Sequence, residues 1–267
     1  MKITLSPHSA VPSPGTPAGD QARDRFLSGL IDILGDARFI WLPKITDTTT
    51  STDESRHGVT ITYDATVASR ISVQGSGVYV DWDGDNDEAD TPDVDNHSFG
   101  DGVIDEAFSI VVLANPDSDA SAQSFISKQN SASVDEWGFG LTGTNSYPRL
   151  TLIDASSSYT IAREDQTGIS ASSDTLLVAT YDGSADEAGI RLYKDGTRVD
   201  DASAGSTPLS YAAMENGASQ VRLGCVYGSA SFYNGKLGLA CLTGKELNID
   251  DVDVLGKLVN AFFDLAL

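Results

Sequence analysis

Residues 175–183 read TLLVATYDG, and residues 190–196 read IRLYKDG. Each stretch is a run of β-branched, aliphatic or aromatic residues that ends in Asp-Gly, a pair that favours a turn because Gly accepts a positive φ. In the second stretch Ile190 and Leu192 alternate along the chain, which puts both side chains on one face of an extended strand. The two stretches therefore predict successive β-strands joined by turns.

Similar runs, separated by clusters of Gly, Asp, Ser and Asn, continue from Arg38 to the C-terminal region. About a dozen short strands at this spacing, without helices between them, are typical of an antiparallel β-sandwich. The predicted strands are Phe39–Leu42, Val59–Tyr63, Ile71–Val73, Val78–Trp82, Phe108–Ala114, Ser124–Lys128, Trp137–Leu141, Arg149–Ile153, Ser158–Ala162, Thr175–Tyr181, Ile190–Lys194, Val221–Val226 and Lys236–Leu242.

Eight segments, most of them predicted strands, occur along the chain in an order that resembles a known family. They are residues 80–84 (VDWDG), 108–116 (FSIVVLANP), 125–128 (FISK), 137–141 (WGFGL), 177–183 (LVATYDG), 190–196 (IRLYKDG), 221–224 (VRLG) and 232–237 (FYNGKL). Together they resemble the strands of concanavalin A-like (laminin-G-like) jelly rolls, of the kind found in phage structural proteins. The resemblance covers residues 36–267 and implies an all-β antiparallel sandwich. Residues 235–242 (GKLGLACL) lack the acidic pair that the family often carries there, so no role of that pair is carried over.

Two segments outside the strands predict helices, and a third predicts an extended arm. Residues 1–19 are rich in Pro and predict an arm that is either unstructured or ordered by a partner. Apolar residues at helical spacing predict a helix over 20–35, and a second pattern predicts a C-terminal helix over about 249–264. The face of the first helix either packs on the following domain or docks on a partner; its residues are Phe26, Leu27, Leu30, Ile31 and Leu34.

The charge balance excludes several classes of function. The chain has 267 residues, with 17 Lys and Arg against 39 Asp and Glu, and a formal net charge of −22. Such a chain lacks the basic surface that nucleic acids and anionic membranes require. Residues 1–7 (MKITLSP) have no apolar core, so the sequence predicts no secretory signal peptide and synthesis in the cytoplasm.

The sequence offers no convincing catalytic centre. Jelly-roll hydrolases carry their carboxylates on one strand as Glu-x-Asp-x-x-Glu, and the nearest string, residues 88–93 (EADTPD), ends in Asp and contains Pro. A Gly-x-Ser-x-Gly elbow is absent. The His residues are expected in solvent, and Cys225 and Cys241 are expected in the core without a disulfide. We therefore expect a protein without enzymatic activity.

One acidic run has the composition of a cation site. Asp81, Asp83, Asp85 and Asp87 crowd carboxylates together, and a Ca²⁺ ion with its six to eight oxygen ligands would relieve their repulsion. The alternative is a solvated acidic loop.

Aromatic and amide residues near predicted turns are candidates for glycan binding. Aromatic rings stack on sugar faces, while Asn and Asp bind hydroxyl groups. The alternative for each ring is packing in the core. The candidates are Trp82, Tyr147, Tyr227, Phe232, Tyr233 and Asn234.

Two functions of different classes follow from these features. The first is a virion structural protein, a phage capsid decoration, head-fibre or tail-associated protein, in which residues 1–35 bind a shell or tail protein and the jelly roll is displayed on the particle surface. The second is a glycan-binding adhesion module that recognises polysaccharide, with Ca²⁺ as a candidate cofactor. Association between copies through the terminal segments is a further expectation.

Overall fold

The computed structural model describes residues 18–64, 70–118, 121–130, 134–143, 145–205, 210–226 and 231–267. Tyr227 and residues 1–17 of the predicted arm lie outside the described residues. Helix α1 is Ala18–Leu34 and helix α2 is Ile249–Phe263. The strands are β1 (Ala37–Trp41), β2 (Thr50–Thr52), β3 (Thr60–Tyr63), β4 (Ile71–Gln74), β5 (Gly77–Asp83), β6 (Ala89–Asp90), β7 (Phe108–Pro116), β8 (Gln123–Lys128), β9 (Trp137–Leu141), β10 (Pro148–Asp154), β11 (Tyr159–Glu164), β12 (Thr175–Tyr181), β13 (Ile190–Lys194), β14 (Thr197–Arg198), β15 (Ala202–Ser203), β16 (Val221–Leu223) and β17 (Asn234–Thr243).

The strands form two antiparallel sheets, so the predicted all-β sandwich is confirmed. Sheet A has the order β14-β13-β12-β7-β17-β5-β4, with β1 also paired to β17. Sheet B has the order β15-β11-β10-β9-β8-β16-β6-β3-β2. Neighbouring strands are often far apart in sequence, as in the pairing of β7 with β17, and such crossovers are usual in jelly rolls.

The main core lies between the two sheets. Alternation along each central strand sends one set of side chains into it, such as Val112 of β7 and Leu177 of β12 in sheet A. Trp137, Phe139 and Leu141 of β9 enter it from sheet B. Because aromatic and branched residues alternate in this way, the pattern that predicted the strands also predicted their inward faces.

A second core covers part of the outer face of sheet A. Val111 and Leu113 of β7 point away from the first core and pack with both helices. Helix α2 begins at a capping box in which the Asn248 side chain accepts from the N–H groups of Asp250 and Asp251. Helix α1 ends at Leu34, one residue before the predicted limit, because Gly35 has a φ of 70° and stops the helix. Both helices therefore lie on sheet A.

The position of α1 corrects one expected docking surface. Phe26, Leu30 and Leu34 are buried in the second core, Leu27 is half-buried against it, and Ile31 remains 39% exposed. The first three side chains are occupied within the chain and are not available to a partner, so packing on the sandwich is the alternative that the structure shows. No helix in the described ranges is long and apolar enough to cross a bilayer.

Candidate functional site

The acidic run does not gather its carboxylates around one point. The Asp83 carboxylate accepts from the N–H groups of Asp85 and Asn86 at 3.0 and 3.3 Å, and Asp87 accepts from the N–H of Asp83 at 2.9 Å. The guanidinium of Arg70 forms ion pairs with both Asp83 and Asp87. An internal cation thus offsets part of the charge on two of the four carboxylates that the sequence analysis offered as Ca²⁺ ligands. Across the described part of the chain, no three His, Cys, Asp or Glu side chains come together as a metal site.

Two predicted sugar-stacking residues are core residues. Trp82 is 2% exposed and Tyr233 is 0% exposed, so neither presents a ring face to solvent. Trp82 lies on the inward face of β5, and the Tyr233 ring packs on Phe125 with ring centroids 5.3 Å apart. Tyr147, Phe232 and Asn234 are half-buried. The core alternative therefore holds for the two buried rings.

Three of the predicted residues meet on the outer face of sheet A, in what we call the sheet-A patch. Cross-strand pairing sets Asp83 beside Asn234 and Asp81 beside Lys236. Asp117 follows β7 at the same edge, and a depression of about 220 Å³ is bordered by Asp81, Asp83, Asp117 and Asn234. Burial and the nearby Asp117 carboxylate raise the pKa of Asp81.

Much of this patch already has internal partners. Burial acts to raise the pKa of Asp83, but the bonds from Asp85 and Asn86 and the charge of Arg70 hold it below its usual value. Asn115, which pairs with Lys236 across β7 and β17, donates to Asp174 at 3.0 Å. Most polar side chains of the sheet-A patch are therefore engaged within the chain, although the Lys236 ammonium forms no ion pair with a described residue.

A groove on the outer face of sheet B has a different character. Gly138 and Gly140 of β9 form part of its floor, between β8 and β10. The Gln129 amide lies over Gly138 and the Gln123 carbonyl lies over Gly140. Cross-strand pairing places Ser124 and Arg149 on either side of Gly140, and Thr151 beside Gly138. The space enclosed is about 230 Å³. We call this channel the sheet-B groove.

Four polar side chains of the sheet-B groove are free, whereas the Gln123 amide donates to Ser118 O and accepts from the N–H of Asn234. The side chains of Arg149, Gln129, Thr151 and Ser124 line it, and none forms a hydrogen bond or ion pair with another described residue. Together they offer guanidinium and amide donors, an amide acceptor, and two hydroxyl groups that both donate and accept. The groove therefore holds unused hydrogen-bonding capacity on a rigid sheet.

Sequence analysis missed this groove, although its signal is visible. Glycine alternates with Trp137, Phe139 and Leu141 in WGFGL, so both glycines fall on the face opposite the core. Alternation could therefore have placed two side-chain-free positions on an outer sheet face. The glycine pattern does not show which strands lie beside β9. Those strands supply Ser124 and Arg149 from other parts of the chain.

A buried charged cluster lies at another point of the sandwich. The Lys128 ammonium contacts Glu136 at 2.8 Å and Asp93 at 3.0 Å, with Lys128 and Glu136 both fully buried. Burial raises the pKa of Glu136 to about 7 despite the adjacent ammonium. His97 is 0% exposed, which corrects the expectation that it is solvated, and burial followed by the charge of Lys128 lowers its pKa to about 4. Lys128, Glu136 and His97 are therefore core residues, and Asp93 is the member of the cluster that reaches solvent.

Known structures share the sandwich but little of the sequence. One similar structure is of botulinum neurotoxin type C, whose cell entry depends on interaction with two ganglioside molecules. It aligns with a TM-score of 0.59 and 11% sequence identity, over 85% of this chain and 52% of the toxin chain. A botulinum neurotoxin serotype D ligand-binding domain in complex with N-acetylneuraminic acid aligns with a TM-score of 0.58 and 12% sequence identity. The alignment covers 86% of this chain and 52% of the toxin chain. A Trypanosoma rangeli sialidase aligns with a TM-score of 0.55 and 13% sequence identity, over 84% of this chain and 33% of the sialidase chain.

These likenesses show the fold alone, because the identities are low. The chain spans about half the length of the toxin domains and a third of the sialidase. No sequence-family description matches it, and no curated protein does. The comparisons place the chain among β-sandwiches of the jelly-roll type.

Proposed function

We propose that this protein is a non-enzymatic glycan-binding module that binds saccharide in the sheet-B groove. The observation that carries the proposal is the glycine floor of Gly138 and Gly140, edged by four polar side chains without internal partners. Binding sites are concave surfaces with a few convergent polar groups. Sugar hydroxyl groups both donate and accept, which matches the mixture of donors and acceptors on Gln129, Thr151 and Ser124.

The similar structures support this proposal by analogy of fold. The descriptions of the two toxin domains name gangliosides and N-acetylneuraminic acid as their ligands. A fold does not transfer a ligand, so the argument stands on the groove itself.

The lining of the groove also supports a binding role without catalysis. Glycoside hydrolysis uses two carboxylates that flank the scissile bond. Among the described residues that line the groove there is no Asp or Glu. The expected outcome of prolonged incubation with a bound polysaccharide is recovery of the intact polymer, and release of reducing ends would contradict a non-enzymatic role.

The test is binding of the full chain to a panel of bacterial surface polysaccharides, measured by calorimetry. Thr151→Val removes one hydroxyl at nearly constant shape and should weaken binding roughly threefold to tenfold, the value of one hydrogen bond. Gly138→Val fills the floor and should abolish binding. A Cβ at this position would clash with the far end of the Gln129 side chain, which can move, and would lie at ordinary contact distance from Ser127, so we expect the fold to survive.

The matched control is Thr62→Val, because Thr62 lies exposed on the same face of sheet B, in β3, outside the groove. It should bind as the unchanged protein does. Equal weakening by Thr62→Val and Thr151→Val, or full binding by Gly138→Val, would rule out the groove.

Display on a virion surface is a second proposal, and it rests on sequence features alone. The buried face of α1 removes Phe26, Leu30 and Leu34 from any docking role, so the shell or tail contact is assigned to residues 1–17, outside the described residues. Deleting residues 1–17 should abolish incorporation into particles while the sandwich stays folded. Incorporation at the normal level would end this proposal without touching the glycan proposal.

A further inference from the structure

Thirteen of the sixteen Lys and Arg side chains in the described part of the chain have a carboxylate within 4.0 Å. The exceptions are Arg25, Arg149 and Lys236. In a chain with 39 acidic residues against 17 basic ones, an unpaired cation is unexpected, because carboxylates are abundant. Arg25 lies on the exposed side of α1, but Arg149 is half-buried and lines the sheet-B groove.

The surroundings of Arg149 leave its charge available to a ligand. Glu164 is its partner across β10 and β11, yet the two side chains form no ion pair. On its other side Arg149 faces Gly140, which has no side chain to contact it. The guanidinium is a planar fork whose preferred partner is a carboxylate bound through two hydrogen bonds.

The rest of the groove favours a ligand that carries few negative charges among neutral groups. Ser124, Gln129 and Thr151 are neutral and suit hydroxyl groups. Thr151 lies two residues along β10 from Arg149, about 7 Å away on the same face, so both side chains reach adjacent parts of one ligand. The net charge of −22 repels a dense polyanion, whereas one carboxylate placed at Arg149 gains a direct partner.

We infer that Arg149 is a specificity-determining residue, and that the saccharide bound in the sheet-B groove carries a carboxylate on the sugar that lies against Arg149. This inference rests on the proposed glycan-binding function. It adds the chemical class of the ligand, a glycan in which an acidic sugar stands among neutral ones, and it assigns the neutral end of the ligand to Gln129 and Thr151.

The test compares each polysaccharide that the protein binds with its carboxyl-reduced form, in which the acid has become a primary alcohol. The unchanged protein should bind the reduced form at least roughly tenfold more weakly, since a charge-assisted contact is lost. Arg149→Gln should bind both forms equally and weakly, and Arg149→Lys should retain part of the preference. Arg25→Gln, which removes the same charge from an unpaired position on α1, should behave as the unchanged protein.

The outcomes separate the inference from the function on which it rests. Equal binding of the native and carboxyl-reduced forms by the unchanged protein would overturn the inference and leave glycan binding intact. Arg149→Gln that keeps the preference would do the same. If the unchanged protein binds no polysaccharide on the panel, the proposed function fails and the inference fails with it.

Discussion

Phe26 of α1 and Phe262 of α2 stack with their ring centroids 4.2 Å apart and their planes 17° from parallel. This contact joins segments near the two ends of the chain. The Phe263 ring packs edge-on against the Phe26 ring, with centroids 6.1 Å apart, and also against the Tyr79 ring of sheet A, with centroids 5.2 Å apart. Helix α1 is therefore an integral part of the sandwich, and removing residues 1–35 would strip the second core.

Truncation of this contact should be costly. Phe26→Ala is expected to lower the free energy of unfolding by about 3–5 kcal/mol, the usual loss for a buried Phe. Ile31→Ala on the same helix should cost about 1 kcal/mol or less, because Ile31 is exposed. Urea denaturation monitored by circular dichroism measures both. Equal losses would contradict the assignment of Phe26 to the core.

The buried His97 predicts a pH dependence of stability. Its folded-state pKa of about 4 lies below the ordinary value of 6.5, so the unfolded chain binds more protons between these values. Stability therefore falls as the pH drops through this window, by about 2 kcal/mol between pH 7 and pH 5. Glu136, with its pKa raised to about 7, acts in the opposite sense.

The measurement isolates His97 by comparison with His97→Gln, which cannot titrate. The free energies of unfolding of the two proteins are compared at pH 7 and pH 5, and the unchanged protein should lose about 2 kcal/mol relative to the variant. A constant difference across this range would show that His97 does not titrate as its burial predicts.

The two glycines of the sheet-B groove should differ in their tolerance of substitution. A Cβ at Gly140 would press on the backbone carbonyl of Gln123, which cannot move without disturbing β8, so Gly140→Ala should destabilise the fold by about 1–3 kcal/mol. A Cβ at Gly138 would clash only with the far end of the Gln129 side chain, and Gly138→Ala should cost little. Thermal denaturation of Gly140→Ala and Gly138→Ala tests this prediction. Similar melting temperatures for the two variants would contradict it.

Arg70, rather than a metal ion, is expected to neutralise the acidic run. Arg70→Met leaves Asp83 and Asp87 without a counter-charge and should lower the melting temperature, with the larger effect at low salt. Addition of Ca²⁺ or EDTA to the unchanged protein should leave the melting temperature where it is, since a bound ion would raise it. A Ca²⁺-dependent rise would restore the predicted cation site.

Local sequence was sufficient for the main strands because their side chains alternate or run apolar over five or more residues. Residues 175–181 begin and end as predicted, since β12 is buried between β7 and β13. The two-residue strand β6 was missed because Ala89–Asp90 stands in an acidic run that resembles a loop. Its ladder bonds come from β16 and β3, which no local pattern can supply.

The candidate site was less accessible to sequence reasoning. Trp82 and Tyr233 are aromatic residues near turns, a feature shared by sugar-binding rings and core rings, and only burial separated the two alternatives. Asp81, Asp83 and Asn234 were assigned to two different sites, although β5 and β17 bring them onto one patch. Spacing along the chain carries no information on such pairings.

The amino-acid sequence by itself determined the class of fold, because alternation and turn residues act over a few neighbours and specify strands and their inward faces. It also determined the acidic charge that argues against nucleic acid. Tertiary structure alone decided which strands are adjacent, and hence that Arg149 and Ser124 flank Gly140 while Arg70 reaches Asp87. The physical reason is that strand pairing and burial are settled by contacts between residues distant in sequence, and the groove exists only where those contacts place β8, β9 and β10 side by side.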